Sequence, residues 1–285
     1  MKIIRCNVDP DYKLVVSSDW HVGANNTHYE AIRSLIAYVK ESGSYLTLNG
    51  DLMETIDPSN KHFSAQSVDR GAITGQEQVK RLVELLLPIK DRILCIGMGN
   101  HEHRLINSFN PTLEMCERLG VPYGTVTYVL EMANSGKVMH KHLLTHGSGM
   151  IPKGAKDPIQ RKANRAAWIK RQLEGMGFGD TICHFMGHTH HLQVVNPTIE
   201  DEAHLVTKNG RIKQLRGQMT PQNIDKIPHD ARWYCNTGSF LRLYSDPDTD
   251  HISYGEMRLY GPPKLGYCEV VSVGGCVTEV REVVV

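Results

Sequence analysis

The chain has 285 residues, of which 40% are hydrophobic and 22% are charged. These proportions are typical of globular proteins and exclude a collagen, a coiled coil and a disordered chain. Lys and Arg number 32 against 31 Asp and Glu, so no net field draws the whole protein to nucleic acid or to an acidic membrane.

The cysteines and the amino terminus indicate the compartment. The seven cysteines are scattered, odd in number and without a CxxC pair, which argues against a disulfide framework or a zinc ribbon. The first residues turn polar before an apolar signal segment could form, and no apolar run reaches about 18 residues. We therefore expect a cytoplasmic protein without membrane contact.

The first part of the chain alternates predicted strands and helices. Apolar runs at 12–18, 45–48 and 92–96 are typical of buried strands, and residues 28–41 and 75–88 have the apolar periodicity of amphipathic helices. This order predicts a parallel βαβ core with right-handed crossovers.

After residue 123 the pattern is mostly strands. We predict strands at 125–131, 137–145 and 181–186, and a helix that begins at an Asp157 cap and ends at Gly175. The remainder is predicted to be antiparallel, with a hairpin turn at Asn209-Gly210 and a terminal strand pair around Gly274-Gly275. No repeat or linker interrupts the chain, so we expect one α/β domain over 1–285 with two packed sheets. Residues 198–230 could be a lid or specificity insertion over the site, or equally a peripheral ornament.

Five predicted strands end in polar blocks. These blocks are Asp19-x-His21, Gly50-Asp51, Gly99-Asn100-His101-Glu102, His146-Gly147 and Gly187-His188-Thr189-His190. The carboxyl ends of strands in an α/β sheet converge on one crevice, so these residues can meet there. A set of Asp, Asn and His ligands without thiolate suits Mn, Fe or Zn. Each block alone is more often a turn, but five in order favour a metal site.

The ordered blocks resemble the calcineurin-like metallophosphoesterase superfamily, whose pattern is DxH, GD, GNH[DE], H and GHxH. The segment Asn236-Thr237-Gly238-Ser239 is similar to the NxGS segment that usually follows, so the resemblance covers nearly the whole chain. It implies a four-layer αββα sandwich of two mixed sheets with a dinuclear metal site at the strand ends.

The resemblance also implies a role for each motif residue. Asp19, His21 and His190 would bind one metal, Asp51 would bridge the pair, and Asn100, His146 and His188 would hold the second. The metals would be two divalent ions, Mn²⁺ foremost, with Fe, Zn or Ni as alternatives. His101 would be the catalytic residue that protonates the leaving oxygen or stabilises the transition state, or else it would only orient Asn100.

The second block departs from the protein Ser/Thr phosphatase branch, which reads GDxxDRG. Here Glu54 occupies the second carboxylate position and the Arg is missing, which argues against a protein phosphatase. Glu54 is expected to pair with His101 and hold its tautomer, with a solvated loop acid as the alternative.

Two features point toward nucleic acid. The stretch from Ser18 to Gly23 resembles the SDWHLG stretch of SbcD-like DNA repair nucleases, although the chain is too short for their DNA-capping domain. Residues 150–175 carry seven basic and two acidic side chains, a net charge of +5. Arg161, Arg165 and Trp168 lie at i, i+4 and i+7 of the predicted helix, where they could contact phosphates and stack a base. The alternative is a solvated helix face with Trp168 turned inward.

We therefore predict a dinuclear metal-dependent phosphoesterase that hydrolyses phosphodiester bonds, as a nuclease or phosphodiesterase, by in-line attack of a metal-bridging hydroxide. A phosphomonoesterase acting on a small metabolite or nucleotide is the alternative, and a non-catalytic protein-binding scaffold is the alternative from another class. The expected partner is a phosphate-ester substrate, with DNA and RNA as candidates. The oligomeric state stays open.

Overall fold

The computed structural model describes residues 1–55, 67–151, 154–199, 203–216, 221–244 and 263–285. The strands are β1 (Lys2–Asn7), β2 (Tyr12–Ser17), β3 (Tyr45–Asn49), β4 (Ile93–Gly97), β5 (Thr127–Asn134), β6 (Lys137–Thr145), β7 (Cys183–Met186), β8 (Leu192–Val195), β9 (Ala203–Lys208), β10 (Arg211–Arg216), β11 (Trp233–Thr237), β12 (Gly266–Val273) and β13 (Cys276–Val284). The helices are α1 (Tyr29–Ser42), α2 (Gly75–Leu86), α3 (Asn100–His103), α4 (Pro111–Leu119) and α5 (Pro158–Glu174). Short 3₁₀ segments cover Leu87–Arg92 and His229–Ala231.

The fold is a mixed α/β fold with two main sheets. One has five strands in the order β13-β12-β2-β3-β4, and in it β2, β3 and β4 are parallel. Because α1 and α2 lie between these strands in the chain, the predicted βαβ order is confirmed. β12 joins the sheet antiparallel to β2 and pairs with β13 through the predicted turn at Gly274-Gly275.

The other sheet has six strands in the order β1-β5-β6-β7-β11-β8. β11 pairs parallel with β7 and antiparallel with β8, so the prediction that the chain after β7 is wholly antiparallel is wrong for β11. The chain reverses into β8, returns through a long segment and inserts β11 between β7 and β8. Local turn signals show the reversal but carry no information about the insertion.

Helix boundaries follow from capping residues. The Thr74 hydroxyl accepts the backbone N–H of Glu77 at the start of α2, and the Glu77 carboxylate accepts the N–H of Thr74. The predicted helix over 75–88 ends at Leu86, where the chain tightens into a 3₁₀ segment. α1 ends at Gly43, whose φ of +67° is the left-handed conformation that glycine adopts without strain.

Buried apolar side chains form three clusters. The first joins the five-stranded sheet to α1, α2 and α4. The second contains side chains of both sheets, including Leu14 of β2 and Phe185 of β7. The third packs Trp168 and Leu173 of α5 against Tyr234 of β11. α5 therefore lies against the six-stranded sheet, while α1, α2 and α4 lie against the five-stranded sheet.

All seven cysteines are free thiols, and six of them are buried. Among the described residues, none of the helices is both long and apolar enough to span a membrane.

The segment 198–230 contains the hairpin of β9 and β10, which confirms the predicted turn at Asn209-Gly210. Both turn residues have positive φ, as a type I′ turn requires. The segment is anchored where the Thr198 N–H donates to the Asp230 carbonyl at 2.7 Å, just before β11 begins. Residues 200–202 and 217–220 lie outside the described residues.

Candidate metal centre

The backbone is strained where the strands end. Among the described residues, eight non-glycine residues have positive φ, and five of them are predicted metal ligands. These five are Asp19, His21, Asp51, His188 and His190, with φ between 49° and 69°. Side chains with a Cβ adopt this region at a cost, and such strain concentrates at functional sites. The strained turns aim all five side chains into one region.

Asp19, His21 and His190 form the first group of possible ligands. The Nε2 atom of His190 lies 3.3 Å from Asp19 Oδ1 and 3.1 Å from His21 Nε2. Their ligand atoms all lie within 4.8 Å of one another, close enough to share one ion. The Asp19 carboxylate also accepts the backbone N–H of His188 at 3.1 Å, which ties the loop after β7 to the loop after β2.

Asp51, Asn100, His146 and His188 form the second group. His146 Nε2 lies 3.1 Å from Asp51 Oδ2 and 3.1 Å from Asn100 Oδ1. Asn100 Oδ1 also lies 2.7 Å from His188 Nδ1 and 3.3 Å from Asp51 Oδ2. Rotating the Asn100 amide would replace the oxygen by an NH₂ donor and make hydrogen bonds. In the orientation observed, the Asn100 carboxamide oxygen faces another oxygen and two imidazole nitrogens. A shared cation requires this orientation, because it binds the oxygen and not the NH₂ group.

Asp51 lies between the two groups. Its carboxylate forms one group of possible ligands with His146 and His188, and another with His21 and His101. Within each group, the ligand atoms lie within 4.8 Å of one another. The other carboxylate oxygen, Oδ1, accepts the backbone N–H of His101 at 2.8 Å. This is the position that the expected bridging ligand would need.

Two histidine tautomers are fixed by acceptors behind the rings. His21 Nδ1 donates to Glu54 Oε2 at 2.8 Å, and His146 Nδ1 donates to the Asn49 carbonyl at 3.0 Å. Each ring therefore presents Nε2 to the cluster, with its lone pair free when the ring is neutral. This arrangement of outer hydrogen bonds is usual for metal-binding histidines.

Glu54 contacts His101, its predicted partner, and also His21. Its carboxylate bonds to His21 and lies 3.6 Å from His101 Nδ1, so its main partner is His21 rather than His101. The alternative of a solvated loop acid is wrong, because only 13% of the Glu54 side chain is exposed. Sequence shows only that the motif's second carboxylate position is acidic. The fold decides which ring reaches it.

His101 lies at the edge of the cluster. Its Nδ1 donates to the Glu54 carbonyl at 2.7 Å, and its Nε2 lies 3.9 Å from Asp51 Oδ2. Burial, together with the charge of nearby His21, lowers the pKa of His101 to about 4. The ring is therefore neutral, with its proton on Nδ1, so Nε2 faces the crevice unprotonated, and a bound anion would favour its protonation.

The buried carboxylates draw positive charge into the crevice. Burial disfavours protonated His21, but the hydrogen bond and charge of Glu54 raise its pKa to about 9. Burial opposes protonation of His146 as well, whereas the hydrogen bond and charge of Asp51 raise its pKa to about 10. For Asp19, burial would raise the pKa, but the hydrogen bond and charge of His190 hold it below its usual range.

The donor set fits divalent cations. Asp19 and Asp51 are almost fully buried, and the nearest charges available to them are protons on imidazole rings. Carboxylate, carboxamide and imidazole donors without thiolate suit Mn, Fe or Zn, and metal binding would displace those protons. The residues present therefore fit two divalent ions, one for each group.

Sequence reasoning missed the role of Glu102, the last residue of its motif block. Its buried carboxylate accepts the backbone N–H groups of Asp51, Leu52, Met53 and Gly99 at 2.6 to 3.0 Å. It thus joins the loop after β3 to the loop after β4. Glu102 can join the two loops only because they lie close together in the fold, and the sequence motif does not show that proximity.

Ser18, Thr237 and Ser239 were also missed. The Ser18 hydroxyl donates to Asp19 Oδ2 and bonds to the Thr237 hydroxyl, and Ser239 Oγ donates to the Asp19 carbonyl at 2.9 Å. Thr237 and Ser239 belong to the NTGS segment, which was the available sequence signal. These bonds hold Asp19 in its strained conformation.

The predicted substrate-binding residues differ in position. Arg161 is exposed, whereas Arg165 is half-buried and its Nε has no hydrogen-bond partner among the residues that the structure describes. The carbonyl of Lys162 accepts Gln193 Nε2 at 3.0 Å, so this part of α5 lies beside the chain that follows His190. Trp168 is only 7% exposed and packs in the third cluster, so the idea that it stacks a base is wrong.

Comparison with known proteins gives low similarity. No family model matches the sequence, and no curated protein matches it. A metallophosphoesterase from Sphaerobacter thermophilus is similar in structure at 15% identity and a TM-score of 0.36, over 95% of this chain and 88% of that one. A hypothetical protein from Thermus thermophilus is similar at 14% identity and a TM-score of 0.38, over 96% and 98%. GAP50, the anchor in the inner membrane complex of Plasmodium, is similar at 10% identity and a TM-score of 0.36, over 96% of this chain and 89% of that one.

Proposed function

We propose that the protein is a phosphoesterase that uses two divalent metal ions, Mn²⁺ foremost, in a four-layer αββα sandwich. One observation carries the proposal: Asp51 Oδ2, Asn100 Oδ1 and His146 Nε2 lie 3.1 to 3.3 Å apart as three converging donors of one crevice. His146 and Asp51 attract each other, but the Asn100 carboxamide oxygen faces the Asp51 carboxylate oxygen at 3.3 Å, a contact between two acceptors. A shared cation accounts for that arrangement.

One ion would be held by Asp19, His21 and His190. The other ion would be held by Asn100, His146 and His188, and Asp51 would bind both ions. When bound, the two ions would supply positive charge for the phosphate and activate water for attack on phosphorus. A bound phosphate would favour protonation of Nε2 of His101, which would then donate that proton to the leaving oxygen, while the Glu54 carbonyl keeps the ring in place through Nδ1. Glu54 and Asn49 would orient His21 and His146.

Arg165 would bind a phosphate oxygen beside the cluster. Its charge acts on His191, the residue after His190, and no carboxylate among the described residues neutralises it. A guanidinium offers planar N–H donors that match phosphate oxygens. Arg161, one turn earlier and exposed, would contribute only to the field around α5.

Phosphodiester cleavage, by a phosphodiesterase or nuclease, is the preferred reaction, because the SDWHVG stretch resembles nuclease sequences and α5 presents basic side chains. A phosphomonoesterase would use the same ligands with a different pocket. The complete ligand set disfavours a non-catalytic scaffold, which needs no converging donors.

The test is hydrolysis of bis-p-nitrophenyl phosphate and p-nitrophenyl phosphate by metal-stripped protein reloaded with Mn²⁺. We expect faster diester cleavage, and nearly none in Asp51→Asn. The exposed control Asp91→Asn should behave as wild type. Faster monoester cleavage would favour the phosphomonoesterase, and no cleavage with metal bound would contradict the proposal.

A further inference from the structure

The hairpin of β9 and β10 has an unusual charge. Lys208, Arg211, Lys213 and Arg216 lie within residues 203–216, which contain no Asp or Glu. The rest of the chain then has 28 basic against 31 acidic residues. None of these four side chains has an ion pair among the described parts of the chain. The acidic run Glu200-Asp201-Glu202 comes just before β9 in the sequence, whereas Lys208, Arg211 and Lys213 lie at or near the turn of the hairpin. The near-neutral total therefore conceals a positive hairpin tip.

The strand register places three of the charges on one face. Lys208 is directly opposite Arg211, and Lys213 is opposite Val206, two residues further along the same face. Directly opposed like charges about 5 Å apart destabilise a strand pair. Residues two apart on a strand lie about 7 Å apart, so Arg211 and Lys213 form a short row. An anion with closely spaced charges would relieve this repulsion.

The hairpin stands away from the two main sheets. β9 and β10 pair only with each other among the described strands, and every residue of β10 is exposed. Leu205 and Ile212, on the opposite face, are 70% and 71% exposed. An isolated two-stranded ribbon is marginally stable in water, so a partner that covers it would stabilise it.

The base of the hairpin segment is also remote from the metal centre. The segment is anchored at Thr198 and Asp230 beside the amino end of β11, whereas the candidate ligands lie at the carboxyl end. β11 has five residues and spans about 17 Å. That length corresponds to about five nucleotides of one strand of a duplex. This placement favours a peripheral surface over a lid.

We propose that the hairpin 203–216 binds the phosphate backbone of a nucleic acid, through Lys208, Arg211 and Lys213. A two-stranded ribbon is narrow enough to enter the major groove of a duplex, and its cations would contact the phosphates at the groove edge. The choice of nucleic acid over an anionic membrane rests on the proposed phosphodiester chemistry. The hairpin would hold the strand beyond the bond that is cleaved, so small diesters would not use it.

The test compares two charge-matched triple variants of the full chain. The hairpin variant removes three positive charges from the hairpin by Lys208→Gln, Arg211→Gln and Lys213→Gln. The control variant removes the same charge from exposed positions elsewhere by Lys13→Gln, Lys40→Gln and Lys90→Gln. Binding of a fluorescent duplex of about 20 base pairs is measured by anisotropy in EDTA, to prevent metal-dependent cleavage, at several salt concentrations. Circular dichroism confirms that both variants are folded.

We expect the hairpin variant to bind at least about tenfold more weakly than wild type and the control. Its slope of log K against log salt should fall by about 2 to 3, from the loss of up to three phosphate contacts. Equal loss in both variants, no loss in either, or no binding by wild type would overturn the proposal. Loss of binding to phosphatidylserine vesicles without loss of duplex binding would overturn it in favour of a membrane.

Hydrolysis of bis-p-nitrophenyl phosphate separates this inference from the proposed function. The hairpin variant should keep the wild-type rate, because the small diester does not reach the ribbon. If wild type cleaves no diester while the hairpin variant still loses duplex binding, the catalytic proposal fails and the binding surface stands.

Discussion

The carboxylate of Glu102 accepts the backbone N–H of Asp51 at 3.0 Å, so a residue of the fourth strand's loop holds the central carboxylate of the cluster. The same carboxylate accepts three further backbone N–H groups on the two loops. The position of Asp51 therefore depends on a side chain that would bind no metal itself.

Glu102→Gln should weaken metal binding by roughly 10- to 100-fold, the usual effect of losing an outer hydrogen-bonding group. The new NH₂ group would face backbone donors and leave some of them buried without an acceptor. Titration calorimetry with Mn²⁺ measures the affinity, and the exposed Glu117→Gln is the matched control. Wild-type affinity in Glu102→Gln would show that the clamp has no effect on the cluster.

His101→Ala should keep both metals but lower the rate by roughly 10² to 10⁴, because its Nε2 faces the crevice and would become a proton donor once a bound phosphate favours its protonation. Metal content by mass spectrometry and diester hydrolysis are measured on the same sample. Loss of one metal would instead move His101 into the ligand set, which its place within 4.8 Å of His21 and Asp51 would permit.

Arg165→Gln should raise the KM for the diester, because the side chain would contact a phosphate oxygen without touching the ligands. Arg161→Gln, one turn earlier on the same helix and exposed, should change the KM little. Steady-state kinetics of both variants at fixed ionic strength measures the difference. An equal change in the two variants would assign the effect to the general field of α5.

The stability of the fold should fall in mild acid because of buried histidines outside the cluster. Burial lowers the pKa of His140 to about 4 and that of His184 to about 3, and it also lowers the pKa of His142. The unfolded chain protonates these rings near pH 6.5, so between about pH 6.5 and 4 it binds more protons than the folded chain. Stability therefore decreases as pH falls through this window.

His142→Phe should reduce that dependence. The variant removes a ring whose Nδ1 has no partner among the described residues, next to Phe185. We expect the slope of unfolding free energy against pH to decrease by up to about 1.4 kcal/mol per pH unit between pH 6 and 5. Urea unfolding at several pH values measures it. An unchanged slope would mean that His142 is already protonated in the folded protein.

Sequence alone predicted the βαβ order and the blocks that meet at the strand ends, because strand polarity determines which ends converge. It did not predict that β11 inserts beside β7, since strand pairing over a long segment leaves no local pattern. It paired Glu54 with His101 and missed His21, and it left open whether Trp168 stacks a base or packs inward, because each depends on where a loop or helix turns. The Glu102 clamp requires two loops to meet, which no single motif encodes.

The most direct test of the central claim is titration of metal-stripped protein with Mn²⁺, for wild type and Asp51→Asn together, with diester hydrolysis followed in the same samples. We predict two ions per wild-type chain, with activity that rises as the second one binds, and at most one ion and almost no hydrolysis in Asp51→Asn. Two ions and full activity in Asp51→Asn, or no ion bound by wild type, would contradict the dinuclear site.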